Sequence, residues 1–200
     1  MAVTVETLTG TDLKRALPEL AKLRIMVFRD WPYLYDGTLA HEQDYLTRFG
    51  AACGAMIAAA WDNGRIIGAA TAAPLSGHTE EFVPLFERAG FDPDKIFYFG
   101  ESVLLSDYRG RRLGHAFFDH REQHARASSG AAGAFSHTGF CGVVRPDEHP
   151  LKPAGYRPLD AFWAKRGYVK VDGLVGSYTW QDIGQPAETA KPMQFWVRPL

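Results

Sequence analysis

The residues best suited to chemistry lie between Glu101 and Gly114, where the chain reads ESVLLSDYRGRRLG. The apolar start predicts a strand, the polar middle predicts a tight turn, and the apolar residues after residue 111 predict a helix. The first N–H groups of a helix have no acceptor within it and lie at the positive end of the helix dipole. The sequence therefore predicts a site for a phosphate or a pyrophosphate at this turn.

Glycines and arginines in the turn support this prediction. Gly110 and Gly114 would let the backbone approach a ligand closely, and Arg109, Arg111 and Arg112 add three positive charges. Two common nucleotide motifs are excluded, because no Gly-Lys-Ser/Thr follows and the G-x-G-x-x-G spacing is absent. From these residues alone, the other interpretation is an ordinary helix start with glycines for packing and arginines in solvent.

The elements that must position this turn predict a mixed sheet with helices on both faces. Asn63-Gly64 between two apolar runs indicates a β-hairpin, and residues 76–95 interrupt the strands as an insert. The predicted strands are residues 3–8, 56–61, 65–73, 96–105, 134–144, 168–180 and 193–197. The predicted helices are a long one from Pro18 to near Arg29, then residues 39–49, 111–127 and 159–166.

Composition limits the classes of partner. Lys and Arg number 22 against 23 Asp and Glu, and the formal charge of −1 offers no overall field for nucleic acid or for a membrane. The chain has 2 cysteines, Cys53 and Cys141, which are too few for a disulfide framework. We see no secretory signal, and the apolar run at 51–61 is too short to cross a membrane. The 200 residues therefore predict a single cytoplasmic domain.

Residues 107–114, DYRGRRLG, resemble motif A of the GNAT superfamily of acyl-CoA N-acyltransferases. That motif reads Arg/Gln-x-x-Gly-x-Gly/Ala after a strand and at the start of a helix. Arg109 and Gly114 match its first and last positions, while Arg112 replaces the middle glycine. Residues 162–168, FWAKRGY, are similar to a later Phe-Tyr-x-Lys-x-Gly-Phe signature, with Trp163 at the tyrosine position. The order of predicted elements matches the family over residues 3–197.

The resemblance implies an acyl-CoA N-acyltransferase-like α/β (α+β) fold, with a mixed, mostly antiparallel sheet. It implies an N-acetyltransferase that moves an acetyl group from acetyl-CoA, its co-substrate, to a primary amine by direct attack in a ternary complex. The pyrophosphate would be held by the backbone of Arg109, Gly110, Arg111, Arg112, Leu113 and Gly114. The thioester would lie beside Val103, Leu104 and Leu105. The alternative is a non-catalytic acyl-CoA-binding regulatory domain, since fold does not fix function. An unrelated nucleotide-binding α/β protein is a third interpretation.

Glu101 is the catalytic residue that the resemblance implies, as a base or through a water relay. The other interpretation of Glu101 is a structural hydrogen bond or ion pair. Trp163 cannot supply a proton to the departing thiolate as a tyrosine would, so Tyr156, Tyr168, Cys141, His137 or solvent are the candidates. Cys141 could also carry the acyl group covalently, although a lone cysteine is more often a small buried apolar residue.

The resemblance places the acceptor at the loop between the first two helices, where Trp31, Tyr33, Tyr35 and Asp36 stand. An aromatic wall with a carboxylate suits a cationic amine, although aromatic residues in a loop also fill cores. The insert is expected near this end and could act as a lid, and Arg145, His149 and Arg157 could hold a substrate carboxylate. The expected partner is a small-molecule or peptide amine, and a homodimer is an alternative to a monomer.

A zinc site on the helix after the turn is not expected. His120 and His124 are one turn apart on this helix, but the Glu between them is wrongly placed for a zinc motif and no third ligand is evident. Packed, hydrogen-bonded histidines are the better interpretation, and the sequence predicts no metal.

Overall fold

A computed structural model describes residues 3–77 and 79–200. Its strands are β1 (Thr4–Leu8), β2 (Met56–Asp62), β3 (Arg65–Pro74), β4 (Ile96–Leu104), β5 (Ser129–Gly130), β6 (Gly133–Ala134), β7 (His137–Val143), β8 (Val169–Gln181) and β9 (Glu188–Pro199). Its α-helices are α1 (Gly10–Phe28), α2 (Leu39–Ala51), α3 (Val83–Arg88), α4 (Leu113–Ala127) and α5 (Asp160–Lys165). None of the helices among these residues has the length and apolar character that a membrane span requires.

A seven-stranded sheet forms the centre of the molecule, in the order β1-β2-β3-β4-β7-β9-β8. Every neighbouring pair is antiparallel except β4 and β7, which are parallel. The short strands β5 and β6 form a separate hairpin. The expected fold class, a mixed and mostly antiparallel sheet with helices on both faces, is confirmed.

Each face of the sheet has its own core. On one face, α1 and α2 pack Leu20 and Phe49 against Ile57 of β2. On the other face, α4 and α5 pack Phe117 and Phe162 against the aromatic residues of β4. Alternate residues of a strand point to opposite faces, so the alanine-rich β2 and β3 supply small side chains to both cores.

Helix α1 begins at Gly10 rather than at Pro18, so Pro18 lies in the helix interior. Leu13 and Ala16 extend the buried stripe of Leu20 toward the N-terminus. Burial of this face therefore outweighs the hydrogen bond that a proline cannot donate, an interior cost of about 3 kcal/mol. The start predicted from the proline was wrong.

The insert after β3 is part of the core. Phe82 and Phe86 are almost completely buried, and their rings contact Phe195 at centroid distances of 4.9 and 5.1 Å. Phe82 also contacts Tyr98 of β4 at 6.0 Å. The insert therefore packs into the core on the α1 and α2 side of the sheet, and its action as a lid stays a prediction. Residue 78 of the insert lies outside the described residues.

Candidate active site

A cleft opens in the middle of the sheet where β4 and β7 part. The two strands pair only at Ile96, Phe97 and Tyr98 of β4, and β4 then continues to Leu104 with no partner on that side among the described residues. Its other edge stays paired with β3. The unpaired edge leaves backbone groups that need hydrogen-bond partners. We call the space between β4 and β7 beyond Tyr98 the cleft.

A β-bulge in β4 turns Glu101 toward α1 and α2. The register with β3 shifts so that Gly100 and Glu101 both lie opposite Thr71. The Glu101 N–H donates to Thr71 Oγ1 at 3.2 Å. A Cβ at Gly100 would lie 2.4 Å from the same oxygen, so this position requires glycine. The bulge reverses the alternation along β4, and Glu101 and Val103 therefore share the α1 and α2 face.

The backbone of Ser102 and Leu104 faces the cleft. The N–H groups of Glu101 and Leu105 are directed to β3, at Thr71 Oγ1 and at the Ile67 carbonyl. Because backbone groups alternate along an antiparallel strand, those of Ser102 and Leu104 point the other way. Of the residues expected beside the thioester, Val103 has a fully buried side chain in the core and Leu105 is bonded to β3, so Leu104 is the one whose backbone lines the cleft. The sequence did not predict that the backbone of Ser102 also lines the cleft.

The turn from β4 to α4 presents free amides. Gly110 has φ +78° and Arg112 has φ +64°, directly before α4 begins at Leu113. Among the described residues, no backbone carbonyl accepts from the N–H groups of residues 110–114, and the next two amides donate to the Arg112 carbonyl at 3.0 and 3.2 Å. The αL conformation of Arg112 explains why its position is glycine in motif A, since a side chain disfavours this conformation.

The arginines around the turn reach solvent. Arg109 lies 3.5 Å from Asp30 in an exposed ion pair. Arg111 donates to the Asp107 carbonyl at 2.9 Å, and the Arg112 side chain is exposed. The turn therefore combines helix N-terminal donors with three neighbouring positive charges, which suits a pyrophosphate.

A buried charge cluster lies where Glu101 points. Arg24 Nη1 is 2.6 Å from Glu101 Oε2, and Arg24 Nε donates to Glu42 Oε2. The Tyr45 hydroxyl donates to Glu101 Oε2 at 3.2 Å. The exposed side-chain fractions are 12% for Arg24, 3% for Glu101 and 0% for Glu42. We call Arg24, Glu42 and Glu101 the carboxylate–arginine unit.

This unit contains two carboxyl groups and one guanidinium. Burial alone would lower the pKa of Arg24, but Glu101, Tyr45 and Glu42 raise it above its ordinary value, so the guanidinium stays charged. Two carboxylates therefore face one guanidinium. Oε1 of Glu101 has no hydrogen-bond partner within residues 3–77 and 79–200, whereas the fully buried Glu42 carboxylate also contacts the Tyr35 hydroxyl. Buried polar atoms without partners are rare in folded proteins, and such an oxygen is suited to a ligand donor.

Sequence reasoning missed Arg24, Glu42 and Tyr45. A signal was present, because Glu42 lies on the same helix face as the buried Leu46 and Phe49. A charged residue on the apolar face of an amphipathic helix points into the core, where it needs a partner.

Two residues of the predicted aromatic wall gather at one place. The Trp31 ring lies 4.9 Å from His149 and 5.9 Å from Tyr156, between ring centroids. Burial, with smaller contributions from Cys141 and Tyr156, raises the pKa of Tyr33, so its hydroxyl stays neutral. Trp31, His149 and Tyr156 therefore form a half-buried aromatic group. The nearby Tyr33 ring packs against Phe28 at 4.5 Å and Trp180 at 5.9 Å, between centroids.

Tyr35 and Asp36 do not join this group. Tyr35 is buried, forms an isolated β-bridge with Asp182 and covers Gly37. Asp36 pairs with Arg29 at 2.8 Å, and both side chains are largely exposed. A role of Asp36 as the carboxylate of the acceptor wall stays a prediction.

Arg145 is a structural brace. Its guanidinium donates to the carbonyls of Pro32 at 2.8 Å and Tyr33 at 2.6 Å, and to Asp182 at 2.7 and 2.9 Å. These bonds use the donors of the guanidinium and connect the loop between α1 and α2 to the end of β8. The expectation that Arg145 holds a substrate carboxylate was therefore wrong.

The candidate proton donors fall into two groups. Tyr168 is buried and bonded to Thr138 at 2.9 Å and Glu122 at 3.2 Å. Burial raises the pKa of Cys141 to about 12, and its Sγ lies 3.1 Å from the Tyr98 hydroxyl. The Tyr168 hydroxyl and the Cys141 thiol therefore already have hydrogen-bond partners within the protein. Tyr156 is half-buried beside Trp31, and burial raises its pKa above the ordinary value.

Trp163 packs as an apolar side chain. Its ring lies 5.0 Å from Phe140 and 5.3 Å from Trp196, between centroids.

The remaining candidate proton donor is His137, whose Nδ1 lies 2.8 Å from Ser136 Oγ.

The two helical histidines pack as expected. His120 Nδ1 is 2.8 Å from Thr7 Oγ1, and the His124 ring contacts Phe97 at 5.6 Å. In the part of the chain that the structure describes, no group of 3 or more His, Cys, Asp or Glu side chains is arranged to hold a metal ion.

The architecture is shared with solved acetyltransferases. No family model and no curated protein matches this sequence. An acetyltransferase from Streptococcus agalactiae aligns with a TM-score of 0.58 at 15% identity, covering 99% of this chain and 98% of that chain. Arabidopsis thaliana NAA60 in complex with acetyl-CoA aligns with a TM-score of 0.60 at 14% identity, covering 100% of this chain and 99% of that chain. The ribosomal-protein-alanine N-acetyltransferase from Brucella melitensis aligns with a TM-score of 0.59 at 14% identity, covering 98% of this chain and 99% of that chain. The fold is the acyl-CoA N-acyltransferase fold of the GNAT acetyltransferases.

Proposed function

We propose that this protein is an N-acetyltransferase that transfers the acetyl group of acetyl-CoA to a primary amine by direct attack in a ternary complex. The observation that carries the proposal is the continuity of the unpaired β4 edge with the free amides of residues 110–114. A long ligand with a diphosphate at one end and amide groups along its arm matches this row of donors and acceptors.

The residues present fit acetyl-CoA, which would supply a thioester that a neutral amine can attack. The N–H groups of residues 110–114 would bind the pyrophosphate, with Arg109, Arg111 and Arg112 adding positive charge. The backbone of Ser102 and Leu104 would pair with the arm. A backbone N–H on the thioester carbonyl would stabilise the developing negative charge, typically by about 2.7–4 kcal/mol.

A direct attack agrees with the state of Cys141. Its thiol has a pKa raised to about 12 by burial, so very little thiolate exists at neutral pH. The half-buried Cys141 thiol also contacts the Tyr98 hydroxyl. Proximity of amine and thioester in the cleft would supply much of the rate without a covalent acyl-enzyme.

The acceptor would enter from the α1 and α2 side as a small-molecule or peptide amine. Trp31, Tyr33 and Tyr156 offer aromatic surface to a cation. Glu101 Oε1, buried and without a partner among the described residues, would receive an N–H of the amine. This site favours a primary ammonium that loses a proton before it attacks.

The test measures thiol release from acetyl-CoA with a broad panel of primary amines, together with calorimetry of acetyl-CoA binding. We expect binding and turnover with at least one amine. Binding without turnover across the panel would support the non-catalytic acyl-CoA-binding alternative, which the lack of a tyrosine hydroxyl at Trp163 favours. Absence of binding would refute both.

A variant of Glu101 tests its role as a base separately from the binding of acetyl-CoA. Glu101→Gln keeps the side-chain shape and its bonds to Arg24 and Tyr45 but cannot take up a proton. We expect kcat to fall by about 100-fold or more, with acetyl-CoA binding unchanged. An unchanged rate and pH profile would remove Glu101 from the mechanism.

A further inference from the structure

We propose that Glu42, Arg24 and Glu101 act as one proton-accepting unit, in which Glu42 balances the charge of Arg24 when Glu101 takes a proton from the acceptor ammonium. This inference rests on the proposed function and extends it to residues that contact no substrate. Glu42 is then a positioning residue, because its side chain has no exposed surface.

The geometry makes Arg24 the link between the carboxylates. Its Nη1 contacts Glu101 Oε2 at 2.6 Å, and its Nε donates to Glu42 Oε2. Arg24 also lies over the Tyr45 ring, 4.3 Å from the centroid, which limits its movement. Each carboxylate therefore binds Arg24 through Oε2, and Oε1 of Glu101 is left for the acceptor.

The charge of the unit explains why Glu42 is needed. The unit contains one guanidinium and two carboxyl groups, and in the proposed resting state both carboxyl groups are ionised, which gives a charge of −1. After Glu101 takes a proton, the charge is zero and Arg24 remains paired with Glu42. Without Glu42, the same transfer would leave a buried guanidinium with no carboxylate, which is strongly unfavourable. Glu42 therefore makes Glu101 a stronger base than an isolated Arg–Glu pair would allow.

Other ionisable groups that face Glu101 do not replace Glu42. Tyr45 of α2 and Tyr33 of the loop between α1 and α2 have pKa values raised first by burial, so both are neutral. Tyr35 of the same loop faces Glu42, and burial, with Glu42 next, raises its pKa, so it is neutral as well. Arg121 of α4 lies across the sheet, and its pKa is lowered by burial to about 10, so it remains cationic at neutral pH. Arg121 adds positive charge, which increases the need for a second carboxylate.

The proton step is balanced within the site. An N–H bond of the acceptor ammonium breaks and an O–H bond forms at Glu101 Oε1. The nitrogen keeps the electron pair and attacks the thioester carbonyl. A C–N bond forms, the C–S bond breaks, and the second proton lost by the nitrogen goes to the departing sulfur, which leaves as the free thiol. The proton on Glu101 later leaves to solvent, and the unit returns to its charged state.

Glu42→Gln tests the unit because it removes the charge and keeps the shape. We expect the apparent pKa of the acid limb of kcat/KM to fall by about one unit or more, since a negative charge near Glu101 is lost. We also expect kcat to fall about 10-fold or more, because a weaker base transfers the proton less readily. The KM for acetyl-CoA should stay unchanged, because Glu42 does not face the turn.

Glu122→Gln is the matched control. Glu122 is also a buried carboxylate that pairs with arginines, at 3.1 Å from Arg166 and 3.0 Å from Arg198. We expect this variant to lower the Tm without moving the acid limb. A merely structural Glu42 would behave in the same way.

Arg24→Gln is a second variant, for which we expect the acid limb of the pH profile to shift in the opposite direction. Two carboxylates then face each other without the guanidinium, so the acid limb should move up in pH. This variant decides the question if Glu42→Gln does not fold. Absence of thiol release in the wild type would refute the proposed function itself. An active wild type, with an acid limb that moves in neither folded variant, would refute the unit alone.

Discussion

Arg112 offers a sharp test of the turn that begins α4. It is not a glycine, yet its φ is +64° and its ψ is 7°. A side chain in this conformation costs about 1–2 kcal/mol, because Cβ approaches the carbonyl oxygen. The Arg112 side chain is exposed, so Arg112→Gly removes the strain at little cost in packing.

The expected gain follows from two opposing effects. Relief of strain stabilises the fold by about 1–2 kcal/mol. Glycine also increases the conformational freedom of the unfolded chain, which destabilises by about 0.4–1 kcal/mol. The net gain is about 0.5–1 kcal/mol, and for a chain of this size the Tm should rise by about 1–4 °C.

Arg111→Gly is the matched control one residue away. Arg111 is not among the residues with positive φ, and its guanidinium lies 4.9 Å from the centre of the Tyr108 ring. Glycine at residue 111 should therefore lower the unfolding free energy by about 1–2 kcal/mol, from unfolded-state entropy and the lost cation–π contact. Both variants remove one positive charge beside the proposed pyrophosphate site, so they should weaken acetyl-CoA binding alike.

Calorimetric or circular-dichroism melting measures both variants under one condition. Opposite signs of the change in Tm are expected. If Arg112→Gly destabilises as much as Arg111→Gly, the assignment of strain to Arg112 is wrong.

Three further outcomes are expected. Cys141→Ala should keep thiol release within a few-fold of wild type, because a thiol with a pKa near 12 carries no acyl group; loss of turnover in a stable variant would revive a covalent route. Gly100→Ala should cost about 1–3 kcal/mol of stability by overpacking, since the new Cβ meets Thr71 Oγ1 at 2.4 Å, and urea unfolding measures it. The pKa of Asp182 is held below its ordinary value of 3.8 because bonds to Arg145 outweigh burial. The native state therefore loses stability as the pH falls below about 4, and Arg145→Ala should flatten that acid dependence of urea unfolding; an unchanged slope would contradict it.

Local signals in the sequence predicted the elements that position the site. The Asn63-Gly64 turn, the strand ending near Leu104 and the helix start at Leu113 all stand where residue patterns place them. Each depends on neighbours within a few residues, through turn conformation, hydrophobic alternation or the unpaired amides of a helix start. The free amides at the turn follow from the same local chemistry.

The start of α1 shows where local reasoning fails. Pro18 is a strong local signal, but burial of Leu13 against the sheet determines the start of the helix. Likewise, Asp36 stands beside aromatic residues in the sequence but pairs with Arg29 in solvent. A contact with a distant segment decides the start of α1, and a partner 7 residues away holds Asp36 at the surface.

By itself, the sequence determined the order of elements, the positive turn and the backbone donors before α4, because these depend on residues close together in the chain. Only the tertiary structure decided what surrounds Glu101. Arg24 of α1 and Glu42 of α2 reach Glu101 across the packed face of the sheet. The bulge at Gly100 aims Glu101 at them, through the Thr71 hydroxyl on a neighbouring strand. The charge balance of such a buried group depends on three-dimensional distance and on desolvation, which residue spacing does not encode.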